Sequence, residues 1–431
     1  MNPNEKIRKY SRETFLVHGL PYDAHWEYGH HVVPPITAST TFRLDSTQRG
    51  ADGFASFAAP VMPGPEVKPI YIYDRLGEPT VALLENALCE IEGGESATAF
   101  ASGMAAISAV FLSLCPQGSE VIAHKTMYGC TYSLLTNWLP RFGVRVHLAD
   151  LNDPETLPRL LNRNTRVVYF ESPVNPTLEV LDIKALSSSV HKANRGRKPA
   201  QKAYVVVDNT FATPYCQRPL SLGADIVVHS LTKNIMGFGT DMGGIVIAPM
   251  ELHSLIRLAR KDIGGMVAPR AAWNILVYGI NSLHIRMEKQ MANARRVAAF
   301  LENRKEVARV SYPGLKSHPQ HALARKQMRD FRNRFAPGLM IYFELAGKGT
   351  QLVAAARRFM DHIAAQSYTL TLAVSLGQAK TLIEAPVLMT HCAYGDEAKK
   401  AGICAGGIRL SLGIEDVSDV IRDLKEAFAR I

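Results

Sequence analysis

The chain has 431 residues, of which 47% are hydrophobic and 20% charged, a composition typical of a globular protein large enough for two or more domains. The formal net charge of +10 serves either solubility alone or a preference for anionic ligands, and the basic residues are scattered without a nucleic-acid-binding motif. The N-terminal residues lack the apolar stretch of a signal peptide. Six cysteines without CxxC or metal-ligand spacing predict reduced thiols, no metal site and a cytoplasmic protein.

The N-terminal segment, residues 1–72, is predicted to be an irregular arm, in which the proline-rich stretch 59–69 forms an extended loop. From about residue 80, helical and strand patterns alternate. Helices are predicted at 80–93, 103–115, 131–143, about 154–162 and 182–193, and strands at 96–100, 120–124, 144–150, 165–172, 203–210 and 225–230, followed by the apolar run 243–249. This alternation predicts an α/β fold with a mainly parallel sheet covered on both faces.

Two further stretches indicate whether the chain spans a membrane and where its domains divide. Residues 96–119 carry no charge, but their many Ser, Gly and Ala residues favour a strand and a buried helix over a membrane span. After about residue 266 the pattern changes to long helices over 271–303, strands at 338–345 and 406–413, and a final amphipathic helix at 416–431. The chain is therefore predicted to comprise the arm, a large domain of residues 73–276 and a smaller α+β domain of residues 277–431.

A lysine stands at the end of a predicted strand, in the stretch VVHSLTKNIMGFGTDMGG. Lys233 is either a surface residue on a turn or an amine deprotonated by its surroundings and used as a nucleophile. Ligands of parallel sheets bind beyond the carboxyl ends of the strands, where Glu171, Asp208 and Ser230 are predicted to lie. Lys233 follows Ser230 by three residues, and this convergence favours a functional site.

A second group of residues is suited to hold an anion. Ser102, Gly103 and Met104 lie between a predicted strand and a predicted helix, where the first N–H groups of the helix can bind a phosphate. Such junctions are common, so this signal alone is weak. Ser230 and Thr232 add two hydroxyl groups beside the lysine. The sequence contains neither a P-loop nor a G-x-G-x-x-G motif, which argues against a nucleotide site.

The remaining parts point to one cofactor. Asp208 closes the run AYVVVDN and is either a turn former or a partner for a cationic ring nitrogen. Arg75 offers a guanidinium for a phosphate, and Tyr128 offers a ring for stacking. A lysine that forms a Schiff base, a carboxylate for a ring nitrogen and a phosphate cradle together predict binding of pyridoxal 5'-phosphate (PLP).

From about residue 30 to the C-terminus the chain resembles the γ-family of fold-type I PLP enzymes, the Cys/Met metabolism enzymes. The motifs that carry the resemblance are FASGMAAIS, YGCTY, YFESPVNPTLEVLDI, VVVDNTFATPYCQRPLSLGADIVVHSLTK and GGIRLSLGIED. The resemblance implies the fold-type I architecture, with a mainly parallel seven-stranded sheet in the large domain and a smaller C-terminal domain.

The resemblance also implies roles for the cofactor-binding residues. Lys233 would carry PLP and transfer protons, and Asp208 would pair with the pyridine nitrogen. Residues 102–104, with Ser230 and Thr232, would bind the phosphate. Tyr73 and Arg75 would reach that phosphate from a neighbouring subunit, which implies a homotetramer built as a dimer of dimers with shared active sites.

The substrate-binding residues follow from the same resemblance. Tyr128 would stack on the cofactor ring and act as general acid toward the γ-leaving group. Arg409 would bind the substrate α-carboxylate, with Ser375 and Asn175 nearby. Arg409 could also be a surface charge at a strand edge, but its position among apolar residues in GGIRLSLG favours a buried ion pair.

Cys130 narrows the choice of enzyme activity within the family. Methionine γ-lyases carry a cysteine at this place, and the pair Lys261-Asp262 also resembles their pattern. The leading expectation is α,γ-elimination from methionine or a related γ-substituted amino acid, giving a thiol, 2-oxobutanoate and ammonia. The alternative is γ-replacement, as in O-acylhomoserine sulfhydrylases and cystathionine γ-synthases, or a cystathionine γ-lyase. A remote alternative is a PLP-fold binding protein without turnover.

Several positions depart from the family pattern. Asp74 and Glu78 replace polar residues around Arg75, where they are expected to weaken its field or bind something else. Asn234 and Phe238 stand after the lysine where relatives have other residues, and the segment 46–70 is longer than usual. These departures indicate a divergent subgroup. For Glu171 and Asn175 the alternative to a site role is that they only shape their loop, and His391 and Cys392 are expected to serve packing.

Overall fold

The computed structural model of the chain describes residues 10–19, 31–58, 69–389 and 403–431. Most of the proline-rich stretch 59–69 lies outside the described residues, as do His391 and Cys392. The five cysteines within the described residues are free thiols. None of the helices in these ranges is both long and apolar enough to cross a membrane.

The arm contains helices, so the expectation that residues 1–72 are irregular is wrong in part. Helix α1 spans Arg12–His18 and helix α2 spans Thr47–Ala58. The Ser11 hydroxyl caps α1 by accepting the N–H of Thr14, and the helix buries Phe15 and Leu16 in the core. A seven-residue helix stabilised by packing gives too short a periodic pattern to be identified in the sequence.

The large sheet has seven strands, as the resemblance implies. They are β1 (Ser96–Phe100), β2 (Glu120–His124), β3 (Arg145–Ala149), β4 (Thr165–Glu171), β5 (Tyr204–Asp208), β6 (Ile226–Ser230) and β7 (Gly244–Ala248). Their order is β1-β7-β6-β5-β4-β2-β3, and only β7 runs antiparallel to its neighbours. Each predicted strand is found within two residues of its predicted limits, so the prediction of a mainly parallel sheet is confirmed.

Helices cover both faces of this sheet. They are α3 (Pro79–Glu92), α4 (Gly103–Leu114), α5 (Gly129–Ser133), α6 (Thr156–Leu160), α7 (Ile183–Ala193), α8 (Thr213–Cys216) and α9 (Met250–Ile263). The predicted helix 131–143 is instead α5 followed by a π-turn (Leu134–Trp138) and a 3₁₀ turn (Leu139–Phe142). On β5, Val206 packs into one apolar cluster while Val205 and Val207 pack into another, because successive side chains point to opposite faces.

A second sheet of five strands lies in the C-terminal part. Its strands are β8 (Val307–Ser311), β9 (Met340–Leu345), β10 (Leu370–Leu372), β11 (Thr381–Glu384) and β12 (Gly407–Ser411), in the order β10-β11-β12-β9-β8. The accompanying helices are α10 (Pro269–Asn274), which continues through a π-turn (Ile275–Ile280) into α11 (Asn281–Glu302), then α12 (His321–Gln327), α13 (Gly349–Gln366) and α14 (Val417–Phe428).

Phe343, Phe359 and Phe428 form the aromatic centre of this second layer, with ring centroids of the last two 4.9 Å apart. The two sheets fall on either side of the predicted boundary at 276, but one apolar cluster includes residues of both parts. The domain limits themselves stay a prediction.

Glu78, one of the unexpected acids, begins helix α3. Its carboxylate accepts the backbone N–H groups of Thr80 (2.9 Å) and Val81, and the residue is only 1% exposed. It therefore satisfies two of the N–H groups that a helix start leaves without an intrahelical partner. Burial raises the pKa of Glu78 to about 7, and the negative charge of Asp74 adds to this effect. The acid at 78 is thus explained by helix capping.

The raised pKa of Glu78 gives a testable pH dependence of stability. Because its folded pKa lies above the unfolded value of 4.5, its contribution to stability is complete below that value and is lost as the pH rises through about 7. In Glu78→Gln this titration is absent. We expect the variant's thermal midpoint, relative to wild type, to rise between about pH 5 and about pH 8, equivalent to about 1–3 kcal/mol.

Glu90→Gln makes the same chemical change at an exposed position of α3 and is the matched control. A difference between Glu78→Gln and wild type that stays constant over this pH range would contradict the assignment.

Candidate active site

A cavity of about 380 Å³ opens at the carboxyl ends of β4, β5 and β6. The loop before β11 and strand β12 form its opposite wall. The cavity brings together all the predicted site residues except Tyr73 and Arg75: Ser102, Gly103, Met104, Tyr128, Cys130, Asn175, Asp208, Ser230, Thr232, Lys233, Ser375 and Arg409.

One end of the cavity is an anion cradle formed where α4 begins against the end of β6. The Ser102 hydroxyl caps α4 by accepting the N–H of Ala105 at 3.1 Å. A Cβ atom on Gly103 would lie 2.8 Å from the Cβ of Ser230, so only glycine allows the helix to start this close to the strand. The Thr232 hydroxyl is fixed nearby by the N–H of Gly243 at 3.1 Å. The N–H groups at the start of α4 and the hydroxyls of Ser230 and Thr232 thus lie around one small space.

Two carboxylates lie side by side at neighbouring strand ends, since Glu171 and Asp208 are register partners in β4 and β5. Asp208 accepts the Thr210 N–H at 3.0 Å and the Tyr169 hydroxyl at 3.3 Å. Burial raises the pKa of Asp208, and burial together with the Asp208 charge raises that of Glu171 to about 8. A cationic group of a bound ligand, placed beside Asp208, would stabilise the ionised form of this carboxylate.

Glu171 orients the opposite side of the cavity through the backbone. Its two oxygens accept the N–H of Tyr128 at 2.7 Å and the N–H of Asn175 at 2.9 Å. The role of Glu171 in shaping its loop is therefore supported by these contacts.

Lys233 lies half-buried on the turn after β6, and its Nζ donates to the Ser375 hydroxyl at 2.7 Å. Burial lowers the pKa of Lys233 to about 8, and the nearby positive charge of Arg409 contributes. Ser375 has a φ of 87°, a strained conformation for a residue other than glycine. The surface-lysine alternative is wrong, because the amine faces the cavity and is partly neutral near physiological pH.

Arg409 on β12 is buried, with 4% of its surface exposed, and pairs with Glu384 at 3.0 Å. Its other hydrogen bonds go to Asn175 Oδ1 and the Ser375 carbonyl, both at 2.8 Å. The predicted buried ion pair is confirmed, and the strand-edge alternative is wrong. The guanidinium and the Lys233 amine both contact Ser375, so a cation for a carboxylate lies beside a nucleophilic amine.

Tyr128 and Cys130 form a pair on the wall beside α5. The Cys130 thiol lies 3.3 Å from the Tyr128 hydroxyl and is exposed to the cavity. Burial, followed by the contact with Cys130, raises the pKa of Tyr128, which keeps the phenol protonated. A protonated phenol can donate a proton to a leaving group.

Tyr73 and Arg75 lie outside this cavity. They line a separate cavity with Thr40 and residues 265–269, where Arg75 donates to the Lys261 carbonyl and lies over the Tyr73 ring at 5.3 Å. Within one chain they do not meet the anion cradle. Their predicted role toward a neighbouring subunit stays a prediction.

The residues that depart from the family pattern after the lysine have structural partners. Asn234 is buried and donates to the carbonyl of Phe211 at 3.0 Å, while Phe238 is partly exposed and covers the guanidinium of Arg286 at 5.4 Å.

A cluster outside the cavity has the residue types of a metal site. The ligand atoms of His124, Asp150 and Glu179 lie within 4.8 Å of one another. The Leu151 N–H donates to His124 Nδ1 at 3.2 Å, and His124 Nε2 faces Glu179 at 3.6 Å. Lys125 already pairs with Asp150 at 2.6 Å. The cluster is therefore arranged as an ion-pair network.

Sequence reasoning missed three residues that position the site. Thr210 binds the Asp208 carboxylate and, through its hydroxyl, the N–H of Ser230 at 2.9 Å. Its place two residues after Asp208 is typical of an Asx turn and could have identified it. Tyr169 and Glu384 gave no such signal, because their partners are brought together only by strand pairing.

Comparisons with known proteins agree with the site. The family model for Cys/Met metabolism PLP-dependent enzymes matches residues 13–429. An L-methionine gamma-lyase from Fusobacterium nucleatum subsp. polymorphum is 42% identical over 400 residues, which cover 92% of this chain and 93% of that protein. A cystathionine beta-lyase from Lactococcus lactis subsp. cremoris is 41% identical over 362 residues, covering 84% and 89%.

The crystal structure of cystathionine gamma-lyase from Lactobacillus plantarum, complexed with L-serine, superimposes with a TM-score of 0.83 at 33% identity, covering 98% of this chain and 99% of that chain. The fold-type I prediction is thereby confirmed. Because the family model matches nearly the whole chain, the chain belongs to the Cys/Met metabolism family of PLP-dependent enzymes.

Proposed function

We propose that the chain is a carbon–sulfur lyase that cleaves L-methionine, or a closely related γ-substituted L-amino acid, with water to a thiol, 2-oxobutanoate and ammonia. The observation that carries the proposal is the shared contact of Lys233 and Arg409 with Ser375, which sets an amine beside a carboxylate-binding cation. The similarity to L-methionine gamma-lyases and the exposed Cys130 support methionine as the substrate.

The cavity fits PLP, the cofactor of the family. The cradle at the start of α4 suits a phosphate, because the missing Cβ of Gly103 leaves the helix N–H groups accessible beside Ser230. Asp208 is a buried acid whose raised pKa would fall beside a cationic ring nitrogen. Lys233 presents a partly neutral amine for covalent attachment. When bound, PLP supplies an electron sink that acidifies the Cα–H bond of an amino acid.

Lys233 is the residue that would move protons at the substrate. Its pKa, lowered to about 8, makes the neutral amine accessible near neutral pH, and that form can accept a proton from Cα or Cβ. The Ser375 hydroxyl, 2.7 Å away, keeps the amine on the cavity side of its turn.

Arg409 would bind and orient the α-carboxylate. Because Asn175, Ser375 and Glu384 hold the guanidinium, it presents a fixed planar donor to the ligand. Tyr128 would donate a proton to the departing sulfur, and Cys130 at 3.3 Å lies where it can orient that hydroxyl.

We further propose a homotetramer in which Tyr73 and Arg75 complete a neighbouring subunit's phosphate site. The support is that both residues line a surface cavity that the anion cradle of their own chain does not reach. Free thiols at the five described cysteines fit the proposed cytoplasmic location.

The first prediction from the proposed function concerns Lys233. In Lys233→Ala the visible absorbance of lysine-bound PLP should be lost, and 2-oxobutanoate production should fall at least about 10³-fold, because nucleophile and proton carrier are removed together. Absorbance spectra and turnover of the PLP-loaded protein check this. Lys125→Ala, a lysine outside the cavity, is the control. Retention of the absorbance band in Lys233→Ala would contradict the assignment.

The second prediction concerns Arg409. Arg409→Lys keeps the buried charge beside Glu384 but loses the planar two-nitrogen donor. We expect the KM for the amino acid to rise about tenfold or more, while the absorbance of lysine-bound PLP is unchanged. The amine 3-(methylthio)propylamine, which lacks the carboxylate, should bind both proteins equally well in a spectral titration. Equal weakening of both ligands would show that Arg409 does not bind the carboxylate.

The third prediction tests the reaction itself. The PLP-loaded protein should release 2-oxobutanoate from L-methionine without an added thiol. The rival γ-replacement enzyme would need a thiol and would form a thioether from O-acetyl-L-homoserine. A cystathionine γ-lyase would turn over L-cystathionine in preference to methionine. Quantifying 2-oxobutanoate and thioether with each substrate separates these outcomes, and a PLP spectrum that no amino acid changes would indicate a binding protein.

A further inference from the structure

A buried arginine on α11 holds the turn that follows Lys233. Arg286 is 4% exposed. Its Nη1 donates to the Asn234 carbonyl at 2.8 Å, and its Nη2 donates to the carbonyls of Ile235 at 3.0 Å and Gly279 at 2.8 Å. Its Nε donates to the Ser282 hydroxyl at 2.9 Å. Every nitrogen of the guanidinium therefore has a neutral acceptor.

Burying the charged guanidinium of Arg286 costs folding free energy. This cost indicates that the geometry fixed by Arg286 has a use. Burial of Arg286 lowers its pKa to about 10. Its acceptors within the described residues are three carbonyls and a hydroxyl, and none of them is charged. A buried cation is tolerated only when its donors are satisfied, which here takes three carbonyl groups in a defined arrangement. Replacement of Arg286 would in turn leave those buried carbonyls without their donor.

The turn and the arginine depend on each other. Gly237 has a φ of 76°, and a Cβ atom there would lie 2.0 Å from Arg286 Nη1. The Gly237 N–H donates to the Lys233 carbonyl at 2.8 Å, so the turn that Arg286 holds begins at the lysine itself. The Phe238 ring covers the guanidinium from the outer side.

The same turn packs against the loop that carries Ser375. The Ala379 N–H donates to the Gly237 carbonyl at 2.8 Å. A Cβ atom on Gly377 would lie 2.4 Å from the backbone nitrogen of Asn234, so the two backbones are in direct contact.

Helix α11 contacts this loop as well. Gln290 stands one helical turn after Arg286, on the same face, and its Nε2 donates to the Gln378 carbonyl at 2.8 Å. One face of α11 therefore contacts both the turn after Lys233 and the loop that carries Ser375.

We propose that Arg286 is a positioning residue that, together with Gln290, sets the turn 234–237 against the loop 375–379 so that the Lys233 amine meets the Ser375 hydroxyl. This proposal rests on the proposed role of Lys233. Arg286 is not among the described residues that line the cavity, so it would act through the turn.

The test compares PLP-loaded Arg286→Lys with wild type. Lysine keeps the charge but cannot serve three carbonyls from a planar group. We expect kcat per PLP-loaded site to fall about 10- to 100-fold with KM changed less than about threefold, since displacement of the amine affects the chemical step more than binding. Without substrate, the midpoint of the pH titration of the lysine-bound PLP absorbance should shift by about half a pH unit or more.

Milder variants cover the case in which Arg286→Lys does not fold. Ser282→Ala removes the acceptor of Nε together with that hydroxyl's own bonds to the Tyr278 and Gly279 carbonyls. Gln290→Ala removes the contact to the loop. Each should lower kcat per loaded site and shift the titration in the same direction but by less. Arg296→Lys makes the matched change on an exposed face of α11 and should change neither quantity.

The outcomes separate this proposal from the proposed function. Unchanged titration and unchanged kcat per loaded site, in folded Arg286→Lys or in both milder variants, would overturn the positioning role, even if the thermal midpoint drops. A wild-type protein inactive on methionine would overturn the proposed substrate while leaving the substrate-free titration able to test Arg286. Retention of the lysine-bound PLP band in Lys233→Ala would overturn the role of Lys233 itself.

Discussion

The hydrogen bond between Lys233 and Ser375 joins the two sheets of the chain, and the site depends on it. Lys233 lies on the turn after β6 of the large sheet, whereas Ser375 lies in the loop before β11 of the second sheet. The amine is thus held in a partly desolvated gap, where the charged form is disfavoured. Arg409 adds to this effect and Glu384 opposes it, so one buried ion pair moderates the pKa of the lysine.

The cavity is lined by both acidic and basic groups, and this combination suits the proposed ligands. Asp208 and Glu171 lie at adjacent strand ends on one side, while Lys233 and Arg409 meet at Ser375. A cofactor with a cationic ring nitrogen and an amino acid with a carboxylate would each find a group of opposite charge. Because these groups are largely desolvated, their interactions would be stronger than those of surface charges. The arrangement orients ligands as well as attracting them.

Local patterns made one half of this site predictable. Strands buried on both faces appear in the sequence as apolar runs, and their ends located Asp208, Ser230 and Lys233. Contacts that depend on the pairing of distant segments were not predictable. β11 has only four residues, so its partnership with β12, which sets Glu384 beside Arg409, left no periodic pattern. Arg286 reaches the lysine turn across 52 residues, and its helical pattern is the same as that of any buried helix position. The roles of Tyr73 and Arg75 rest on family resemblance, because one chain alone does not bring them to the cradle.

The net positive charge left open whether the ligand is anionic, and the charge that serves the proposed site is local. Among the described residues that line the cavity, the basic ones are Lys233 and Arg409. Burial disfavours the charged form of Lys233 and Arg409 is paired with Glu384, so the excess charge at the cavity is reduced. Binding of a phosphate and a carboxylate must therefore depend on directed N–H and O–H donors, on the start of α4 and on Arg409. Such donors fix the position of an anion, which a diffuse surface charge cannot do, and bond cleavage at a chosen carbon requires that precision.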